Sequence, residues 1–456
     1  MSNITLKEYK IVLKDGKLVD AENAISTLPN EDTFKIVDRG RGKFKPAPDL
    51  DKDTVKSVLL DKISEEKSLI IDNPEDLEVL KKIKYQSDKY NVVGLFSGCG
   101  GLDLGFELAG LIAEIGEKEA LEAFKNKKKF DALRHKSVFN TVYTNDMFKE
   151  ANQTYKLNFP NHIIQHEKDI RKVANFPLCN LMLGGFPCPG FSEAGPRLID
   201  DERNFLYIHF IRALMQSQPE FFVAENVKGM MTLGKGEVLR QIIEDFSSAG
   251  YEVTPYLVNS RDYGVPQLRE RVFLIGVHKE KIVKKFGFKY PAPKPTHGEG
   301  LKPYITLKDA IGDLEENPGP YFEGSYSPIY LSRNRKKKWD EQSFTIQASG
   351  RQAPLHPSGE SMKYIEKNKW ELGGENRRLS VKEISRIQTF PDWFEFSDGG
   401  NEKMSESGRL DKYYKQIGNA VPVMLAKEIA KPIAEFAKKH LEQNPNKDQK
   451  IQMSLF

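Results

Sequence analysis

The sequence predicts an α/β protein on a doubly wound, mostly parallel sheet with a smaller second domain, and three observations lead there. Short apolar runs recur at Val92–Phe96, Val142–Asp146, Leu181–Leu183, Phe221–Ala224 and Val272–Val277, with helical patterns between several of them. The first run feeds a glycine-rich turn, Ser97-Gly98-Cys99-Gly100-Gly101, and then a helical pattern through Leu111. Polar residues follow the runs: the glycine turn, Asp146, Cys188 and Glu225 all come where such sheets present their ligand-binding edge.

The chain has 456 residues, enough for two or three domains of ordinary size. It is 39% hydrophobic and 29% charged, a globular composition. No apolar stretch reaches the roughly 20 residues that span a bilayer, and the first residues lack the apolar core of a signal peptide. The three cysteines, Cys99, Cys179 and Cys188, form no CxxC or Cys/His cluster, so no disulfide framework and no metal site is expected. Free thiols suit a reducing compartment, and the expected location is cytoplasmic. A net charge of +4 is too small to identify a partner, so the distribution of charge matters more.

Residues 1–89 form an N-terminal extension rich in lysine and acids. It has a candidate hairpin around Asp15-Gly16 and helix-like spacing from Val55 to Lys84, but no recognisable chemistry. Residues 90–291 carry the strand–helix alternation. Pro291-Ala292-Pro293-Lys294-Pro295 reads as an extended linker into a second domain, 292–375. Residues 376–441 are expected to return to the first domain, with an amphipathic helix from Ala420 to Leu441 interrupted by Pro432. Residues 442–456 read as disordered.

The stretch Gly184-Gly185-Phe186-Pro187-Cys188-Pro189-Gly190 holds a lone cysteine between two prolines at a strand's end. Proline stiffens the backbone, and the flanking glycines admit another molecule, which is a setting for a nucleophile. A small buried hydrophobe is the other reading of Cys188. The turn Phe96–Gly101 lacks both the GxGxxG dinucleotide pattern and the P-loop lysine, so it suits a ligand without phosphate. Asp146 can accept from ribose hydroxyls or cap a helix. Glu225 follows a buried strand, where a dry pocket would favour the protonated carboxyl. Arg269 and Arg271 alternate in Gln267-Leu268-Arg269-Glu270-Arg271, so extended backbone would turn both to one side, toward an acid or a nucleobase carbonyl. Asn419, in the turn Gln416–Pro422, can cap the last helix or touch a cofactor.

Taken in order, Phe96–Gly101, Asp146, Asp169-Ile170, Phe186–Ser192, Glu225–Val227, Gln267–Arg271, Arg378–Pro391 and Gln416–Val421 resemble the DNA (cytosine-5) methyltransferases over nearly all of residues 91–435. The resemblance implies a Rossmann-like fold and S-adenosylmethionine as methyl donor, bound through Phe96, Gly98, Gly100, Asp146, Met147, Asp169, Ile170 and Asn419. Many members carry an aromatic residue where Met147 stands, and glutamine where Pro189 stands. It also implies that Cys188 adds to carbon 6 of a cytosine flipped out of duplex DNA, which makes carbon 5 a nucleophile. Glu225 would contact ring nitrogen 3 and the exocyclic amine, and Arg271 the carbonyl, with Arg269 in support. The segment Gly190–Asn204, with Arg197, would be a loop closing over the base.

Residues 292–375 would then recognise the target. The stretches Tyr326–Arg335 and Ser343–His356 look like the recognition segment of enzymes that methylate GGCC or related sites, with Arg333, Arg335 and Arg351 as DNA contacts. The implied partners are double-stranded DNA and a restriction endonuclease of the same system, with the enzyme acting as a monomer. The competing readings are an RNA cytosine-5 methyltransferase and a catalytically silent DNA-binding module.

Overall fold

The computed structural model describes residues 10–12, 18–20, 74–187, 206–232, 236–400 and 402–443. Near the N-terminus, β1 (Lys10–Val12) and β2 (Leu18–Asp20) pair antiparallel with Ile11 opposite Val19, as the hairpin reading expects. Its turn lies outside the described residues, as do most of the helical pattern from Val55 and all of the tail after 443. A short helix, α1 (Pro74–Leu80), leads into the main sheet.

That sheet and its helices follow in the order β3 (Tyr90–Leu95), α2 (Gly101–Ile115), α3 (Glu117–Phe124), α4 (Lys127–Leu133), β4 (Phe139–Asp146), α5 (Lys149–Asn158), β5 (Ile164–Glu167), β6 (Leu181–Gly184), α6 (Tyr207–Ser217), β7 (Phe221–Val227), α7 (Glu237–Ser248), β8 (Tyr251–Asn259), β9 (Gln267–Leu268) and β10 (Glu270–His278). The strand order is β5-β4-β3-β6-β7-β10-β8. The first five are parallel neighbours, and β10 runs antiparallel between β7 and β8. The sheet is therefore doubly wound and mostly parallel.

Burial on both faces explains why the central strands read as continuous apolar runs. Along β3, Val93 and Leu95 face one core with Phe210, Phe222 and Phe246, while Tyr90 and Val92 face the other with Phe106, Ile429 and Ala430. Each fully buried side chain of this size contributes about 1.5–3 kcal/mol of transfer free energy. The edge strands β5 and β8 were not foreseen. β5 is short and half-exposed, and β8 carries Pro255, which breaks a strand signal but is tolerated at an edge.

Beyond β10 come α8 (Leu307–Ile311), α9 (Ile329–Ser332), β11 (Ser343–Phe344), the hairpin β12 (Lys363–Glu366) and β13 (Lys369–Glu371), α10 (Val381–Ile387), α11 (Glu406–Asn419) and α12 (Val423–Gln443). A separate core joins Leu307, Ile311, Phe322 and Ile346 to Leu379, Ile384, Ile387, Leu410, Tyr414 and Ile417. The boundary expected at 375/376 is thus no break in packing, because the apolar faces of α10 and α11 bury against α8. The return to the first domain begins with Phe390 and Phe394, which share a core with Leu104, Leu108 and Phe159, and is completed by α12. That helix runs through Pro432 and lies against α2 so closely that a Cβ on Gly105 would collide with Ala426.

Candidate active site

The carboxyl edge of the parallel strands gathers most of the polar residues singled out above. At the end of β3 the chain turns through Phe96 (φ 53°), Gly98 (φ 54°) and Gly100 (φ 87°), left-handed conformations that glycine adopts without strain. The two glycines serve different ends. A Cβ on Gly100 would strike the ring of Phe159, whereas one on Gly98 would meet nothing within 4 Å, so the open side of the turn is at Gly98. Asp146 ends β4 and accepts from the backbone N–H groups of Gly98 and Phe148, each at 2.9 Å. Burial pushes its carboxyl upward, against those hydrogen bonds. The carboxylate thus fixes the glycine turn.

Met147 is half-exposed beside Asp146, and the neighbouring Phe148 carries the Lys415 ammonium 4.1 Å from its ring centroid. Ile170 is buried. Its carbonyl and that of Val173 accept from Arg212. Asp169 is engaged otherwise than expected: Arg171 grips its carboxylate at 2.6 Å, and its Oδ1 also accepts from the Arg171 backbone N–H. Burial raises that carboxyl, but Arg171 outweighs it and holds it below the usual range. Asn419 is exposed at the end of α11.

On the other side of β3, Glu225 lies within β7 rather than after it, opposite Phe273 of β10. Because β10 is antiparallel, its beginning meets the end of β7. Arg271 Nε therefore sits 3.0 Å from Glu225 Oε1, both side chains about nine-tenths buried. Burial lowers the Arg271 guanidinium's affinity for its proton, and Glu225 works against that. Next to Glu225, Asn226 Nδ2 donates to the Phe186 carbonyl at 3.1 Å, and a Cβ on Gly185 would lie 3.6 Å from Glu225 Oε2. The backbone entering Cys188 is thus held against the Glu225–Arg271 pair. Cys188 and Arg197 lie outside the described residues.

Arg269 lies within electrostatic range of both Glu225 and Arg271. It is buried and donates to the carbonyls of Ile346, Gly418 and Ala420, so its reach is toward the second core. Of the basic residues near α9, Arg333, Lys338 and Arg351 are exposed. Arg335 is not: it is buried and donates to Gln347 Oε1 and the Gln352 carbonyl, a placement that holds the segment together rather than offering a base contact. Lys336 is likewise engaged with Ser358 and Asn376. Asn226 and Arg378 fall within sequence motifs, but their positions as structural ties were not legible there. The latter is buried and donates to the carbonyls of Phe322, Gly324 and Ser325, with its guanidinium 4.1 Å from the Tyr326 ring centroid. Among the described residues no His/Cys/Asp/Glu cluster could hold a metal ion, and no helix is long and apolar enough to cross a membrane.

The described site thus sets a glycine turn, a strand-end aspartate and a buried Glu–Arg pair along the carboxyl edge of a doubly wound sheet, where α/β proteins bind their ligands. The C-5 cytosine-specific DNA methylase family matches residues 90–435, and the chain belongs to that family. It is a DNA (cytosine-5-)-methyltransferase of the type II kind. It is 69% identical to the type II methyltransferase M.BsuRI of Bacillus subtilis over 91% of this chain and 95% of that one. It is 63% identical to M.BspRI of Lysinibacillus sphaericus over 93% and 99% of the two chains. The fold is shared with the crystal structure of a DNA modification methyltransferase encoded within an E. coli prophage, at a TM-score of 0.50, 23% identity, and coverage of 76% and 98%.

Proposed function

We propose that Cys188 is the nucleophile of this methyltransferase, S-adenosylmethionine its methyl donor, and GGCC or a closely related duplex site its target. The observation that carries the reading is the buried Glu225–Arg271 pair beside the backbone that enters Cys188. A flipped cytosine would lie against that pair, with Glu225 facing ring nitrogen 3 and the amine, and Arg271 the carbonyl. The thiolate adds to carbon 6, carbon 5 gains enamine character, and it can then take a methyl group. Loss of the carbon 5 proton and expulsion of the thiol restore the ring. Extruding the base costs a few kcal/mol, met by contacts to the duplex.

The open side of the turn at Gly98, with Asp146 positioned beside it, fits a nucleoside without a phosphate, and Met147 offers a thioether to a purine face. S-adenosylmethionine would supply an electrophilic methyl carried on a positively charged sulfur. Asp169 would need to share its carboxylate between Arg171 and an adenine amine. In this reading residues 292–375 recognise DNA through Arg333 and Arg351, one protomer acts on one duplex, and a restriction endonuclease cuts the same site when unmodified.

Duplex DNA with 5-fluorocytosine in the target site provides the test. The expected result is a covalent adduct that forms with the parent protein and is absent in Cys188→Ser. No adduct with the parent on a site it methylates would overturn the mechanism. Methylome sequencing of cells expressing the gene decides the target, and modification confined to other sites would overturn GGCC.

A further inference from the structure

A chain of buried amides crosses the boundary between the two cores. The backbone N–H of Ile346 donates to Gln267 Oε1 at 2.9 Å, and Gln267 Nε2 donates to Gln388 Oε1 at 2.8 Å. Gln388 Nε2 in turn donates to the carbonyls of Ile417 at 2.6 Å and Ala420 at 3.0 Å. Both glutamines are wholly buried. An N–H at one end and carbonyls at the other permit only one orientation of the two amides, so the chain has a fixed direction.

The relay joins the three parts on which the reaction depends. At one end lies the stretch from Ser343 to Ala348. It pairs with Gln267-Leu268 in parallel, and Thr345 Oγ1 donates to the Leu268 carbonyl at 2.7 Å. At the other end lies the turn 416–421, which abuts the glycine turn. Cys99 Sγ approaches the Gln416 carbonyl at 3.6 Å, and a Cβ on Gly101 would meet Ala420 Cβ at 3.2 Å. Gly418 lies so close to the Gln347 carbonyl that a side chain would collide with it. From Gln267 the backbone runs through Arg269, which also holds Ile346, Gly418 and Ala420, directly to Arg271 and its partner Glu225.

An apolar contact would hold these parts at less cost, because buried amides gain little net stability. They do fix one register, since any slip leaves a donor or acceptor unpaired in a dry environment. We infer that Gln267 and Gln388 are positioning residues for methyl transfer: they lock the backbone of residues 345–348 to the cofactor-side turn and to Arg271, so that turnover depends on the sequence bound. The inference rests on the reading that the segment around Arg333 and Arg351 contacts DNA.

The test uses the full-length enzyme, labelled S-adenosylmethionine, a GGCC duplex and its single-mismatch variants. Gln267→Met and Gln388→Met should each lower kcat on the matched duplex about tenfold, and lower the matched-to-mismatched ratio of kcat/KM by about the same factor, the scale of one unsatisfied buried hydrogen bond. The cofactor's KM should stay within about twofold, since neither glutamine faces the open side of the glycine turn. The double variant should be no worse than the poorer single one, as expected of one relay. Thr345→Val loosens the same backbone without hollowing the core and should shift the ratio in the same direction. A lower melting temperature with an unchanged matched-to-mismatched ratio in all of these variants would overturn the inference. Arg333→Ala and Arg351→Ala serve as the control: if they lose discrimination while the glutamine variants keep it, the relay alone is refuted. If they too keep it, the DNA-contact reading falls as well.

Discussion

Replacing Glu225 by glutamine tests the centre of the site with almost no change of shape. At 3.0 Å and an effective dielectric constant of about 20, the attraction between Glu225 and Arg271 is about 5–6 kcal/mol, most of it offset by the desolvation of both groups. Removing one partner is a different matter, because the other charge stays buried. That typically costs about 3–5 kcal/mol, and at about 1.4 kcal/mol per decade it corresponds to about 140- to 3700-fold in rate if the loss falls on the transition state. Single-turnover methyl transfer to duplex DNA at saturating cofactor measures this, with a thermal melt to show what part falls on the fold. Arg271→Met in the Glu225→Gln background should add little, since the pair acts as a unit. A Glu225→Gln enzyme within threefold of the parent rate, with an unchanged melt, would refute the argument that this pair holds the base.

Three further outcomes follow from neighbouring groups. Asp103 is buried, and burial pushes its carboxyl up to about 7, against the hydrogen bond from Tyr155. The folded protein therefore keeps a proton that the unfolded chain releases above about pH 4, so this group's contribution to stability falls as pH rises from 4 to 7 and is constant beyond. Denaturant titrations of the parent and Asp103→Asn should diverge across that window by roughly 4 kcal/mol in favour of asparagine, and parallel curves would contradict it. Asp146→Asn can accept only one of the two N–H groups that the carboxylate holds, and should weaken S-adenosylmethionine binding about 10- to 100-fold by calorimetric titration, with an intact fold. Arg378→Met strands the buried Phe322 carbonyl and releases those of Gly324 and Ser325 to solvent, and should cost roughly 1–3 kcal/mol in denaturant unfolding; a shift below about 0.5 kcal/mol would show the segment is held by other means.

The parallel centre of the sheet was legible because strands covered on both faces cannot hide their apolar runs, as β3 and β6 show. Its edges were not: β5 has too few apolar residues, and Pro255 disguises β8. The glycine turn and Asp146 could be read because a strand, a turn and an acid are adjacent in sequence. Of the alternating arginines, Arg271 meets the nearby acid that the spacing suggests, but the carbonyls of Ile346, Gly418 and Ala420 that Arg269 reaches were not legible, because they come from distant parts of the chain. Arg335 reads in the sequence as a DNA contact like Arg333, since nothing local announces that Gln347 and Gln352 close over it. Relays such as Gln267–Gln388 are the least legible of all, because their meaning lies in a contact between residues 121 apart.

The antiparallel strand β10 also closes the sheet's account early in the chain. Every strand of the seven has been laid down by His278, and the chain rejoins the framework from Phe390 onward, first through Phe390, Trp393 and Phe394 and then as α12 settles on α2. Residues 279–389 could in principle be exchanged during evolution without breaking a single rung of that sheet. What an incoming module must reproduce is a backbone able to pair with Gln267-Leu268, a carbonyl placed for Arg269 and an amide in the place of Gln388. New target sequences could then be acquired by shuffling a cassette that keeps those contacts.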